Sequence, residues 1–294
     1  MTTPYKSILC PVDFSDISRM AVSWSCQLAQ ELGGELTVLH AVDTALLNIG
    51  NLVAIPDGTA ELRSQAEREM AAWADELDLS GSRMLIEDGV PAGVIVKATE
   101  DQDVDLLVMG THGLSGLQKL LLGSVMEKVL HRAQVPLLSF SPRSPDAPHA
   151  PKSILLAVDF GPETKSVIRH GVWLAEHFGA KLVGAHAVPV PYIVLNDRTM
   201  ERLTPEQLER LKDTITAERR EELSQLFLDS PSTVEVVATV GSAYRAMLDA
   251  VGQHDIDLVV MGRGGHGQRN LGWVGSTCHK MVRSSPCPVL IVPK

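Results

Sequence analysis

The chain opens on a short, nearly unbroken apolar run, Ile8-Leu-Cys-Pro-Val12. A run of that length without polar alternation fits a strand covered on both faces. The pattern then changes period. Ala21, Trp24, Leu28 and Leu32 recur at three- and four-residue steps, so they share one face of a helix, and Gly33-Gly34 stops it. Residues 35–40 return to strand character. A charged helix over 60–77, a strand over 83–87, a helix over 92–99 and a strand over 106–109 follow. A glycine-bearing loop, a further helical segment and a short last strand complete the series. Strands separated by helices imply parallel pairing in a layered α/β sheet.

The same series then runs a second time. Residues 6–15 read KSILCPVDFS and residues 152–161 read KSILLAVDFG, seven of ten positions identical at an offset of 146. DLLVMGTHG at 105–113 and DLVVMGRGG at 257–265 match at an offset of 152, as do VPLLSF at 135–140 and CPVLIV at 287–292. His40 and His186 keep the first offset, whereas Gly89 and Gly241 keep the second, so six residues are inserted between those points in the second copy. There Val167, Leu174 and Phe178 mark the first helix, which ends at Gly179. Strands are expected over 181–186, 234–238 and 258–261, and helices over 205–228 and 243–251. The domains are therefore residues 1–143 and 152–294. A linker over 144–151 lies within a stretch, 141–152, that holds four prolines and is extended and stiff. Two long copies are not a solenoid.

Composition narrows the class. In 294 residues, 45% are hydrophobic and 21% charged, an ordinary globular balance. The net charge of −10 and 4% aromatic content argue against nucleic acid as a partner and against an anionic membrane surface. No apolar run approaches the ~20 residues of a membrane span. The start of the chain has no apolar signal core. Cys10, Cys26, Cys278 and Cys287 form no CxxC pair and no metal spacing. Buried thiols in a reducing, cytoplasmic compartment are the expectation.

In an open parallel sheet, ligands sit beyond the carboxyl ends of strands, where the strand order reverses. Asp13 and Asp159 stand just past the first strands, placed either to cap the following helix or to meet a ligand. Past the fourth strands, Gly110 and Gly113 precede nine residues and then Gly123-Ser124; Gly262, Gly265 and Gly275-Ser276 repeat that spacing. Glycine permits close backbone approach, and a helix that starts after Gly-Ser aims free N–H groups at an anion. The arrangement reads as a phosphate cradle. A competing role for Ser124 is a capping box with Glu127, although the second copy has His279 in the glutamate's place. Gly262 to Gly267 also fits G-x-G-x-x-G, but it follows a fourth strand and opens no helix, so it is not a dinucleotide fingerprint. There is no P-loop run.

These residues resemble the universal stress protein family in its tandem form. The resemblance is carried by the Val-Asp strand ends, the His40 and His186 strand ends, the Val-Met-Gly turns and the nucleotide-binding pattern G-x2-G-x9-G-S/T, matched in both copies. It implies five parallel strands per domain in order 3-2-1-4-5, helices on both faces, and ATP with Mg²⁺ between strands one and four. Asp13 and Asp159 would then meet the adenosine part, and backbone at Ala41 and Ala187 would border the adenine. Gly110, Gly113, Gly123 and Ser124, with Gly262, Gly265, Gly275 and Ser276, would take ribose and phosphates. Leu137–Phe140 and Val289–Val292 would pair as an intramolecular pseudo-dimer, with a homodimer of chains left open. The second copy departs from the family at 266–274 and at Arg263, where the first has Thr111. That arginine is expected either to grip phosphate or to fill the site through a salt bridge.

The leading function is a cytoplasmic stress-response protein that binds ATP as a sensor or adaptor, with at most slow turnover. No catalytic set is repeated in the two copies. His40 and His186 read as satisfied residues at the core edge. The alternatives are a nucleotide-independent adaptor and a nucleotidyl-transfer enzyme, which would usually carry histidines after strand one, where this chain has Asp13-Phe-Ser-Asp-Ile-Ser.

Overall fold

The structure, a computed structural model, describes residues 4–43, 58–113, 122–144, 150–189, 204–265 and 273–294. The middle of the linker (145–149) and most of both glycine loops (114–121 and 266–272) lie outside the described residues, and the readings made there with them.

The first copy runs β1 (Ser7–Val12), α1 (Asp16–Leu32), β2 (Glu35–Val42), α2 (Gly58–Glu76), β3 (Arg83–Asp88), α3 (Pro91–Asp101), β4 (Leu106–Gly110), α4 (Ser124–Arg132) and β5 (Leu137–Phe140). The second runs β6 (Ser153–Ala157), α5 (Thr164–Phe178), β7 (Lys181–Val188), α6 (Pro205–Gln225), β8 (Val234–Val240), α7 (Ala243–Gln253), β9 (Leu258–Gly262), α8 (Ser276–Ser284) and β10 (Val289–Val292). Both second strands run two residues past the expected end, because the parallel ladders with β3 and β8 continue to Val42 and Val188. Part of the insertion lengthens α6, which has 21 residues against 19 in α2.

The strands form one ten-stranded sheet, β3-β2-β1-β4-β5-β10-β9-β6-β7-β8. Each half has the expected order, third-second-first-fourth-fifth. Strands within a half pair in parallel; β5 and β10 join the halves antiparallel, with Leu137 opposite Ile291, Leu138 opposite Leu290 and Ser139 opposite Val289. Side chains alternate between two apolar layers. Ile8, Cys10 and Val12 pack with Trp24, Met70, Trp73, Trp173 and Leu223 on the side of α1, α2, α5 and α6. Leu9, Leu107 and Met109 pack with Ile95, Met126, Met247 and Met281 on the side of α3, α4, α7 and α8. Each layer runs through both copies, which explains the apolar runs of the inner strands β1, β4, β5, β6, β9 and β10, whereas the outer strands β3 and β8 are partly exposed.

Helix ends follow local chemistry. Ser15 caps α1 by accepting the Ser18 N–H, and Gly33 ends it with φ of 60°. Thr204 and Gln207 form a capping box on α6, with Pro205 at its first position. Beyond the strand junction, the Tyr5 hydroxyl bonds His170 Nδ1 at 2.6 Å, and Ser141 Oγ donates to the Ser285 carbonyl at 3.0 Å. Among the described residues, no helix is long and apolar enough to cross a membrane.

Candidate functional site

Each first strand ends in a strained turn. Phe14 and Phe160 hold φ of 63° and 56°, a left-handed conformation that bulky side chains avoid. Their rings pack on His40 and His186, with centroids 4.6 and 4.7 Å apart. Those imidazoles donate Nδ1–H to the carbonyls of Val12 (2.9 Å) and Val158 (2.7 Å), the acceptors available there. The histidines are satisfied, as expected, and also line the clefts described below. The strained turn was not anticipated, although the repeated Val-Asp-Phe was its signal. Such strain is stored where a structure needs a particular approach.

The turn aims the aspartate. Asp13 Oδ1 accepts from the Ser15 hydroxyl (2.6 Å), the Ser18 hydroxyl (2.5 Å) and the Ser15 N–H (3.2 Å). Its Oδ2 lies against Gly113, where an added Cβ would overlap it. The residue therefore braces its own loop with one oxygen and faces the glycine motif with the other. In the second copy, Gly161 and Thr164 replace the two serines. Asp159 Oδ1 accepts only the Gly161 N–H, at 2.8 Å, among its described bonds. Thr164 Oγ1 and Glu163 Oε1 are buried without hydrogen-bond partners among the described residues.

The glycines have distinct reasons. An added Cβ at Gly110 would fall 2.8 Å from Ile17 Cγ2, at Gly123 2.9 Å from the Thr111 carbonyl, and at Gly275 2.7 Å from the Gly264 carbonyl. These positions are glycine because the backbone is crowded. Gly265 differs: among the described residues nothing lies within 4 Å of an added Cβ, and its backbone is not left-handed.

Helix α4 starts at Ser124 with Gly123 as its N-cap, and α8 starts at Ser276 with Gly275; neither has a side-chain cap. The capping-box alternative for Ser124 therefore fails. The serine is already helical, one residue too late to cap. The first amides of both helices have no intrahelical acceptor.

All of the anticipated residues gather in two clefts. Asp13, Ala41, Gly110, Gly113, Gly123 and Ser124 line a cavity of about 380 Å³, together with His40, Asp43 and Thr111. Asp159, Ala187, Gly262, Gly265, Gly275 and Ser276 line one of about 340 Å³, with His186, Thr277 and Trp273. Both volumes suit a small ligand. Asp43 was not anticipated; Pro189 holds its place in the second copy. Trp273 is 51% exposed at the mouth of the second cleft.

Arg263 follows neither expectation. Its guanidinium donates to the Ala133 carbonyl of the first copy, so it leaves the second cleft and crosses the junction. Burial lowers its pKa, opposed by Cys278 and Glu163 nearby. No group of three or more His, Cys, Asp or Glu side chains is gathered for a metal among the described residues.

A doubly wound α/β unit with a cleft at the carboxyl ends of its first and fourth strands, built twice in one chain, defines the class. The chain belongs to the universal stress protein family, whose model matches residues 4–140 and 151–293. Two universal stress proteins of Methanocaldococcus jannaschii are similar: one is 35% identical over 143 residues (46% of this chain, 81% of that protein), the other 30% over 155 residues (47% and 96%). A universal stress protein of Archaeoglobus fulgidus shares the fold over 98% of both chains, with a TM-score of 0.69 and 23% identity.

Proposed function

We propose that both clefts bind an adenine nucleotide, ATP with Mg²⁺, and that the chain acts in the cytoplasm as a nucleotide-responsive sensor or adaptor of the stress response. The observation that carries this reading is the pair of helix starts. Each presents uncapped backbone amides and a serine hydroxyl to a cleft of ligand size. A chain of net charge −10 holds a polyanion through such local donors and a helix dipole, not through overall attraction. Gly265 supports it, since among the described residues neither packing nor backbone strain accounts for that glycine, and a ligand's close approach would. Magnesium would enter with the nucleotide and take its ligands chiefly from phosphates and water, as this ion usually does. The family's fifth-strand contact is spent within the chain, so a homodimer of chains would use another surface.

The test combines mass spectrometry of ligand released from freshly purified protein with thermal melting in Mg²⁺-ATP. The expected results are a released adenine nucleotide and a melting temperature that rises with ATP concentration, because a ligand of the folded state stabilises it by mass action. No released nucleotide and no shift at millimolar Mg²⁺-ATP would overturn the reading in favour of a nucleotide-independent adaptor.

A further inference from the structure

We infer that Arg263, in the glycine loop of the second copy, is a positioning residue for the cleft of the first: it holds the far end of the helix whose start forms that cleft's anion-facing wall. The inference rests on the nucleotide reading for its functional consequence, but its geometry does not. Arg263 is 4% exposed. Its backbone is locked, with its N–H on the Val292 carbonyl (3.0 Å) and its carbonyl accepting the Gly275 N–H (2.9 Å). Its side chain crosses to the carbonyl of Ala133, the C-cap of α4. Ser124, Val125 and Met126, the first turn of that same helix, line the first cleft.

A cation at a helix C-terminus stabilises the aligned peptide dipoles, and so favours an anion at the other end. Helix α4 already ends in His131 and Arg132, but these are more open to solvent and its ions, which screen them. A buried guanidinium is screened much less. The effect of its burial is opposed by Cys278 and by Glu163, which is 2% exposed beneath the same loop. Its Oε1 lies 2.7 Å from where a Cβ of Gly264 would be. The first copy has Thr111 and Ile17 at these two places, and Thr111 Oγ1 is bonded to the adjacent His112 ring (2.8 Å). At the end of α8, the matching carbonyl, that of Ser285, receives the neutral Ser141 hydroxyl. The charged brace therefore runs one way, from the second copy to the first.

The test uses the full chain with Arg263→Thr, the first copy's residue; Arg263→Gln, which keeps a donor without charge; and Arg263→Lys. In ligand-free protein, hydrogen exchange of the α4 amides is expected to quicken several-fold in the Thr and Gln variants and to stay near the unmodified rate with Lys. Mg²⁺-ATP affinity at the first cleft is expected to fall by about twofold to thirtyfold in the same two variants and to be rescued by Lys. Trp273 fluorescence follows the second cleft separately. Unchanged α4 exchange with Thr and Gln overturns the inference, and so does quickened exchange with unchanged first-cleft affinity. If the unmodified chain binds no nucleotide, the proposed function fails, and the exchange experiment still decides whether Arg263 braces α4. The Gln variant keeps the test open should Thr fail to fold.

Discussion

Leu138 lies directly opposite Leu290 where the two half-sheets meet, and the two are equivalent positions of the repeat. A local two-fold axis passes through that pair: Leu137 faces Ile291 and Ser139 faces Val289, each with its symmetry mate on the other side. The junction is an extension of the cores, since both apolar layers cross it. Leu138→Ala is therefore expected to cost about 2–5 kcal/mol, the usual range for a core truncation, and the chain to unfold in a single step. Denaturant melts by fluorescence and circular dichroism would show this. Two separated transitions would mean that the halves are thermodynamically independent.

Gly113 and Gly265 match in the repeat but predict opposite balances. Gly113→Ala forces the Asp13 carboxylate to move, so both stability and first-cleft binding should fall. Gly265→Val adds a side chain in the second cleft where no described residue lies within 4 Å of its Cβ. Its melting temperature should stay close to that of the unmodified chain while second-cleft binding is lost. Calorimetry beside thermal melting checks the contrast, and a large destabilisation by Gly265→Val would return that glycine to a structural role.

Trp24, Trp73 and Trp173 are buried, and only Trp273 is exposed. Quenching by acrylamide should therefore report almost entirely on Trp273, and ligand in the second cleft should reduce it. Trp273→Phe should remove that signal without changing binding at the first cleft. Ligand-independent quenching would place the indole outside the ligand's reach.

Burial lowers the His170 pKa to about 4, and its neutral ring holds the Tyr5 hydroxyl across the junction. Because the folded-state value lies below the unfolded one, acid favours the unfolded state. Stability is whole above pH ~6.5 and declines towards pH 4, by on the order of 3 kcal/mol for this group. Melting temperature against pH should show the decline, and His170→Gln should flatten it over that window. An identical slope in the variant would assign the acid sensitivity to other groups.

Burial pushes the thiols of Cys10 and Cys278 up to about 12 and that of Cys287 up to about 11, whereas Cys26 is half-exposed. A thiol reagent should therefore titrate one cysteine in the native chain, slowly, and four after denaturation. Rapid reaction of more than one native thiol would show that the buried sites open.

The repeat made most of this architecture legible. Strands buried on both faces announce themselves as short apolar runs, and a motif kept in register twice marks the cleft walls better than either copy alone. What the sequence hid is where side chains point. Arg263 stands at a cleft position in the alignment of the copies, yet its reach is set by Ala133, 130 residues away in the chain. The left-handed turn at Phe14 was equally concealed, because an aromatic residue there contradicts its own backbone preference and is held by His40 and Trp73 from other elements. Ser124 misled in a smaller way. S-x-x-E spacing describes a cap only if the helix starts one residue later than it does.

The antiparallel junction of β5 and β10 also sets what can read the two clefts. Every strand of one half runs opposite to every strand of the other, so the carboxyl ends that carry the clefts face away from each other across the body. A partner that docks on a single flat surface meets one cleft and is blind to the other. To sense both, it must straddle the sheet or come in two copies. Under the proposed function, one chain would report two separate occupancies, one on each side.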